Sequence, residues 1–180
     1  MKKIIIQCSG SKNGEPWTVS GLNGVKVKFV AHPYLCGVTP GIKLFKPDDM
    51  VPDSSTTWRE YLNNYNKSKE NPDHLLRAGD LYQDRTYRTL VDKFGWENVY
   101  ILSAGWGLIR SDFYTPYYDI TFSKFVTDCY GRKKTDKFKE FNHLLPNDMS
   151  IENDQIYVFA GIDYLPLLYE LTKQHTCLRI

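Results

Sequence analysis

Three times in this chain an apolar run breaks into small residues and glycine, and that repetition limits the fold more than any other feature. Ile4-Ile5-Ile6 runs into Gln7-Cys8-Ser9-Gly10-Ser11-Lys12, Val99-Tyr100-Ile101-Leu102 into Ser103-Ala104-Gly105-Trp106-Gly107, and Ile156-Tyr157-Val158-Phe159 into Ala160-Gly161. Short apolar runs bounded by turn residues read as buried strands. Over residues 84–94, Tyr87, Leu90, Val91 and Phe94 fall at helical spacing, and Gly95 stands where a helix stops. Strand and helix in alternation predict one α/β domain, a mostly parallel sheet flanked by helices on both faces. Right-handed crossovers point the strand ends the same way, so the three turns are expected to line one crevice.

The remaining chain fills in around that frame. Val25-Lys26-Val27-Lys28-Phe29-Val30-Ala31 alternates like a strand with one solvated face, its lysines marking an edge. Residues 36–57 hold Gly37, Pro40, Gly41, Pro47 and Pro52 and read as a long lid-like loop, ending in a helix capped near Thr56 or Thr57. That loop lies within a segment, 14–73, that is loop-rich as a whole. Helices are predicted over 58–67 and 73–76, one or two more over 121–145, and another over 164–174.

At 180 residues and 42% hydrophobic content there is material for one proper core. A net charge of +2 is too slight to announce nucleic-acid binding by itself. Cys8, Cys36, Cys129 and Cys177 form no C-x-x-C pair, and His32, His74, His143 and His175 show no ligand spacing. Neither a zinc site nor a dense disulfide framework is indicated, no metal or cofactor is expected, and a reducing cytoplasm fits best. The apolar run at the N-terminus is too short for a signal peptide, and no stretch approaches a membrane span, so no membrane partner is expected.

The turn chemistry points to an anion. Ser and Gly at a strand end leave backbone N–H groups free, and Lys12 adds charge, which suits a phosphate or carboxylate; an ordinary strand exit with a solvated lysine has the same composition. Gly105 and Gly107 permit close backbone approach or positive φ, while Trp106 between them either stacks on a flat ring or caps the core. Tyr114-Thr115-Pro116-Tyr117-Tyr118-Asp119 reads as a loop, because Pro116 disfavours the helical region at Thr115; Asp119 is a general base or a turn cap.

Taken together, Cys8-Ser9-x-Ser11-Lys12, Gly79-Asp80-Leu81-Tyr82 before Arg85 and Arg88, Leu102-Ser103-Ala104-x-x-Gly107-Leu108 and Pro116-Tyr117-Tyr118-Asp119 carry a resemblance. The chain resembles a bacterial and phage family known as a domain of unknown function, itself distantly similar to the YaaA peroxide-stress proteins and to a domain of archaeosine synthase. The likeness runs from Ile4 to about Phe122, with an echo at Ala160-Gly161 and Tyr164. It departs from the family in the long segment between the first motif and Leu81-Tyr82. The resemblance implies a site containing Cys8, Ser9, Ser11, Lys12, Tyr82, Ser103, Gly107, Tyr117 and Asp119, with Arg85 as an addition.

An enzyme handling a nucleotide, nucleoside or nucleobase, free or within DNA or RNA, and acting at an N-glycosidic bond or an exocyclic group, is the leading expectation. Lys12, Asp119 and Ser103 are its expected catalytic residues: Lys12 as phosphate partner or amine nucleophile, Asp119 as base or sugar ligand. Cys8, Ser9, Gly10, Ser11, Tyr82, Arg85, Gly105, Trp106, Gly107 and Tyr117 are the expected ligand-binding set. Two alternatives stand beside it. One is a non-enzymatic nucleic-acid-binding stress or phage-related protein using Lys124, Arg132, Lys133, Lys134, Lys137 and Lys139 with neighbouring aromatics, a stretch that equally suits a solvated helix face. The other is a nucleotide-sensing module without turnover.

Overall fold

The computed structural model describes residues 1–123, 126, 129–133 and 155–172. Along them run β1 (Lys2–Gln7), β2 (Trp17–Val19), β3 (Val25–Val30), β4 (Ile42–Phe45), α1 (Trp58–Lys67), β5 (Leu76–Arg77), α2 (Ala78–Leu81), α3 (Arg85–Phe94), β6 (Val99–Ser103), β7 (Gly107–Arg110), β8 (Tyr114–Thr115), β9 (Tyr118–Asp119), β10 (Gln155–Phe159) and α4 (Leu165–Thr172).

The three apolar runs share one sheet, ordered β10-β1-β6-β7. β1 pairs in parallel with both neighbours, Ile5 lying opposite Val158 on one side and Tyr100 on the other. Their turns therefore leave the same edge of the sheet. The mostly parallel sheet with helices on both faces is not what forms. The described residues make a mixed α/β fold of ten strands in three sheets with four helices, and antiparallel pairs join β6 to β7, β2 to β3 and β5 to β8. The reason is local at β7. Gly107 takes φ +80°, a left-handed value that turns the chain back on β6, and the Ser103 hydroxyl accepts the amides of Gly105 (3.2 Å) and Trp106 (3.0 Å) to close that turn.

Strand alternation splits the packing between two clusters. Ile4 meets Val91 and Val99 beneath α3, while Ile5 joins the main core with Ile101, Leu108, Val27, Phe29, Trp58 and Leu62. Helices do not layer both faces; the main core instead links the first sheet to the second. That second sheet is ordered β2-β3-β4, with β9 also paired to β3. β3 is thus central, and its lysines mark a solvated face instead of an edge. Among the described residues β10 lies at one edge of its sheet, its residues exposed or half-buried, where a buried strand was expected.

The predicted lid carries β4, whose Ile42-Lys43-Leu44-Phe45 pairs in parallel with β3. The expected helix at 73–76 does not form, because His74 adopts φ +53° and Leu76 enters β5. Most of 121–145 lies outside the described residues, including Lys124, Lys134, Lys137 and Lys139; Cys129 and Tyr130 form a turn that delivers Gly131 to a bridge with Thr121. Among the described residues no helix is long and apolar enough to cross a membrane. Cys36 and Cys129 are disulfide-bonded, a pairing that the spacing did not signal.

α1 starts where the sequence predicts. Thr57 accepts the Glu60 amide at 3.2 Å, and Glu60 returns a bond to the Thr57 amide at 2.8 Å, so two orphan donors are satisfied. Thr57→Ala is expected to lower stability by about 1 kcal/mol, read as a shifted urea midpoint with unchanged slope.

Candidate functional site

Beyond the carboxyl ends of β1 and β10 lies an open cleft of about 730 Å³. β1 is the strand from which the chain passes to β6 on one side and, later, to β10 on the other. Such reversals leave a crevice between diverging connections, and this one is floored by Cys8, Ser9 and Gly10. Gln7 ties the two strand ends together. Its side-chain oxygen accepts the Gly161 amide at 2.6 Å, and its carbonyl accepts the Tyr87 hydroxyl at 2.7 Å.

The loop after β1 is pinned from outside. Asn13 donates its amide to Leu81 (2.6 Å), and Gln83 donates its amide to Ser11 (3.2 Å) and its side-chain amide to Lys12 (3.0 Å). Those bonds spare the amides of Ser9, Gly10 and Ser11, which have no hydrogen-bond acceptor among the described residues. Two residues that line the cleft, Ser9 and Gly10, therefore carry amides with no hydrogen-bond acceptor. Asp84 and Thr86, at the start of α3, form a second wall. The Asp84 carboxylate caps that helix through the Thr86 amide at 2.8 Å, which lowers its pKa and fills the helix N-terminus with negative charge. Thr121, Phe159, Asp163 and Tyr164 complete the enclosure.

Beneath the floor the expected site residues meet in a packed cluster. Cys8 is 4% exposed, its sulfur 3.3 Å from the Tyr164 hydroxyl and 3.5 Å from the donating amide of Ala104. Lys12 is 8% exposed, with Nζ lying 4.4 Å from the centre of the Tyr118 ring and donating to the Gly10 carbonyl at 3.5 Å. Burial lowers its pKa; the fields of Cys8 and Asp119 oppose that shift and Lys28 adds to it. Ser103 donates to the Tyr118 hydroxyl at 2.7 Å, and Tyr118 shares a 2.8 Å bond with Tyr82. Burial raises both phenols well above their usual range.

The expected residues accordingly divide. Cys8, Ser9 and Gly10 line the cleft. Ser103 spends its proton on Tyr118 and its lone pairs on two amides, so it closes a hairpin and is not placed as a nucleophile. Asp119 pairs with Lys28 at 2.7 Å, close enough to influence Lys12 yet outside the cleft wall, and Tyr117 donates to it at 3.3 Å. Tyr82 is buried against Tyr87, their rings stacked at 4.4 Å, while Ser11 and Arg85 are exposed and off the lining. Trp106 is fully buried, 4.9 Å from the Phe29 ring and 5.7 Å from the Arg59 guanidinium, so it fills the core and presents no face to a ligand. Gly105 answers a packing demand: a Cβ there would stand 3.1 Å from the Tyr118 ring.

Tyr87, Thr121, Phe159 and Asp163 were not singled out from sequence as site residues, and Tyr164 entered only as an echo of the resemblance. Tyr87 shares the spacing of core positions on α3, and only the third strand exit, Ala160-Gly161, could have drawn attention to Asp163. Among the described residues no three His, Cys, Asp or Glu side chains gather as metal ligands. Comparison with protein-family models, characterised proteins and solved structures finds no match to this chain.

Proposed function

We propose that this protein is an enzyme acting on a ligand built from a nucleotide, nucleoside or nucleobase, bound in the cleft between the ends of β1 and β10. The observation that carries the reading is the pair of free amides at Ser9 and Gly10 on the floor of a cleft at the point where strand order reverses. Those amides suit a phosphate. The α3 terminus does not, because Asp84 already holds it, and a carboxylate in that position suits sugar hydroxyls. Phe159 is 54% exposed on the lip and offers an aromatic face to a base. Lys12 contributes positive charge from below whenever it is protonated. Asp84 and Asp163, both on the lining, replace Asp119 as candidate acid or base groups.

Thermal unfolding with a panel of 5′-mononucleotides, their nucleosides and their free bases tests the proposal. Saturable stabilisation by nucleotides, weaker for nucleosides and competed by inorganic phosphate, is expected. Phe159→Ala should weaken nucleotide binding roughly 10-fold, since one base–aromatic stack contributes about 1–3 kcal/mol. Chromatography of the same mixtures separates turnover from sensing: released base marks an enzyme, and binding without product marks a sensing module. No stabilisation by any compound at millimolar concentration sinks both.

A further inference from the structure

We propose that the Cys36–Cys129 disulfide is a redox-operated clasp on one wall of the cleft. It joins residues 93 apart in sequence, with Cα atoms 5.0 Å apart. Cys36 follows the short turn Pro33–Leu35 that leaves β3. Cys129 opens the segment that reaches Arg132. Between them the backbone is continuous in hydrogen bonds: His32 donates to the Cys129 carbonyl (3.0 Å), Thr121 to Tyr130 (3.0 Å), and Arg132 back to Thr121 (2.7 Å). Thr121 is a cleft-lining residue. The same segment places the Tyr130 ring 5.3 Å from Lys28 Nζ, and Lys28 in turn holds Asp119. One covalent bond thus fixes the strip that supports the Thr121 wall.

The bond is placed for exchange. Cys36 is half-buried within a stretch where Tyr34, Leu35 and Val38 are exposed, whereas Cys129 is 7% exposed. A dithiol reductant reaches the Cys36 sulfur; its thiolate bonds to that sulfur and expels Cys129 as thiolate, which takes up a proton. The second thiol of the reductant then attacks the mixed disulfide, releasing Cys36 as a thiol and leaving the reductant as its own disulfide. Two electrons and two protons pass to the protein. With the bond open, the strip keeps the backbone bonds named above and the Lys28–Tyr130 contact but loses its covalent tie, and the Thr121 wall of the cleft is held less firmly. The effect on ligand affinity rests on the nucleotide reading; the effect on the wall does not.

The test compares the air-oxidised full chain, the same protein reduced with dithiothreitol, and Cys36→Ser. Thiol titration of the unfolded protein should find at least two fewer reactive groups in the oxidised form than the four found after reduction. Reduction should lower the melting temperature by about 10 °C, the scale set by cross-linking a loop of this length in a chain of this size. Amide exchange at Thr121 and Arg132 should accelerate at least 10-fold (an order-of-magnitude expectation for local opening), with the β1 and β6 amides unchanged. AMP, as the probe, should bind the reduced form roughly 10-fold more weakly and recover on reoxidation. Four reactive thiols in the oxidised protein, or equal exchange at Thr121 in the two states, overturns the clasp. Accelerated exchange with no binding of AMP or of any other compound of the panel in either state upholds it and removes the nucleotide reading instead. Should Cys36→Ser fail to fold, the reduced wild-type protein supplies every readout.

Discussion

Above about pH 10 the protein is expected to unfold within one to two pH units, in step with the ionisation of its buried tyrosines. Tyr82, Tyr87, Tyr118 and Tyr164 are 4%, 4%, 0% and 6% exposed, and burial raises the pKa of each above the ordinary value of 10.0. Below that value the phenols are protonated in folded and unfolded chains alike, so the stability they contribute is fully present. Above it the unfolded chain releases protons that the folded chain retains, and stability falls as pH rises. Each such group contributes a slope of about 1.4 kcal/mol per pH unit, and four together about 5.5 kcal/mol per pH unit, against a total stability of about 5–15 kcal/mol.

Lys12 works the other way over a lower window. Its folded pKa is depressed below 10.5, so between the two values the unfolded chain holds the extra proton and stability rises with pH. One group cannot offset four. Urea unfolding from neutral pH to about pH 11, with phenolate absorbance followed in parallel, checks both signs. Tyr118→Phe should reduce the alkaline slope by about one proton, and Lys12→Met should flatten the rise below it. Gradual appearance of all the phenolates in a protein that keeps its native circular dichroism would refute the expectation.

Trp106→Ala is expected to cost about 3–5 kcal/mol, or a drop of roughly 10 °C or more in melting temperature, because it empties a packed site that the surrounding structure cannot refill. The indole touches Phe29, which packs in turn on Trp58, and Trp58 on Trp17, so the cavity would open at the seam between the two main sheets. Phe159→Ala provides the contrast. Its ring is 54% exposed, and its removal should leave the melting temperature of the ligand-free protein within about 2 °C, since surface changes usually lie within 0.5 kcal/mol. If the two variants exchanged these phenotypes, Trp106 would belong to the ligand site and the placement of the cleft would be wrong.

Both outcomes bear on how much of the molecule the chain discloses by itself. α1 and α3 are legible because each carries its own boundary chemistry: Thr57 with Glu60 at one start, and the Tyr87, Leu90, Val91, Phe94 spacing before Gly95 in the other. β4, β5, β8 and β9 are not, since pieces of two to four residues have no period to detect and exist only by pairing with a partner far along the chain. The lysines of β3 suggested an edge for a related reason. They report that one face is wet, not whether neighbours lie in the plane of the sheet.

The site divides along the same line. Local composition placed the Ser9-Gly10 turn at a strand end, because an apolar run and a glycine-bearing exit are properties of consecutive residues. Whether Lys12, Ser103, Trp106 and Asp119 face a ligand or each other depends on which strands become neighbours. Packing decided that by burying the first three and giving Asp119 to Lys28. Sequence alone determined the three strand exits; the tertiary structure chose β10 as the partner across the cleft and joined Cys36 to Cys129. Contacts between distant segments are selected by the shape and burial of the whole core, and no local pattern encodes them.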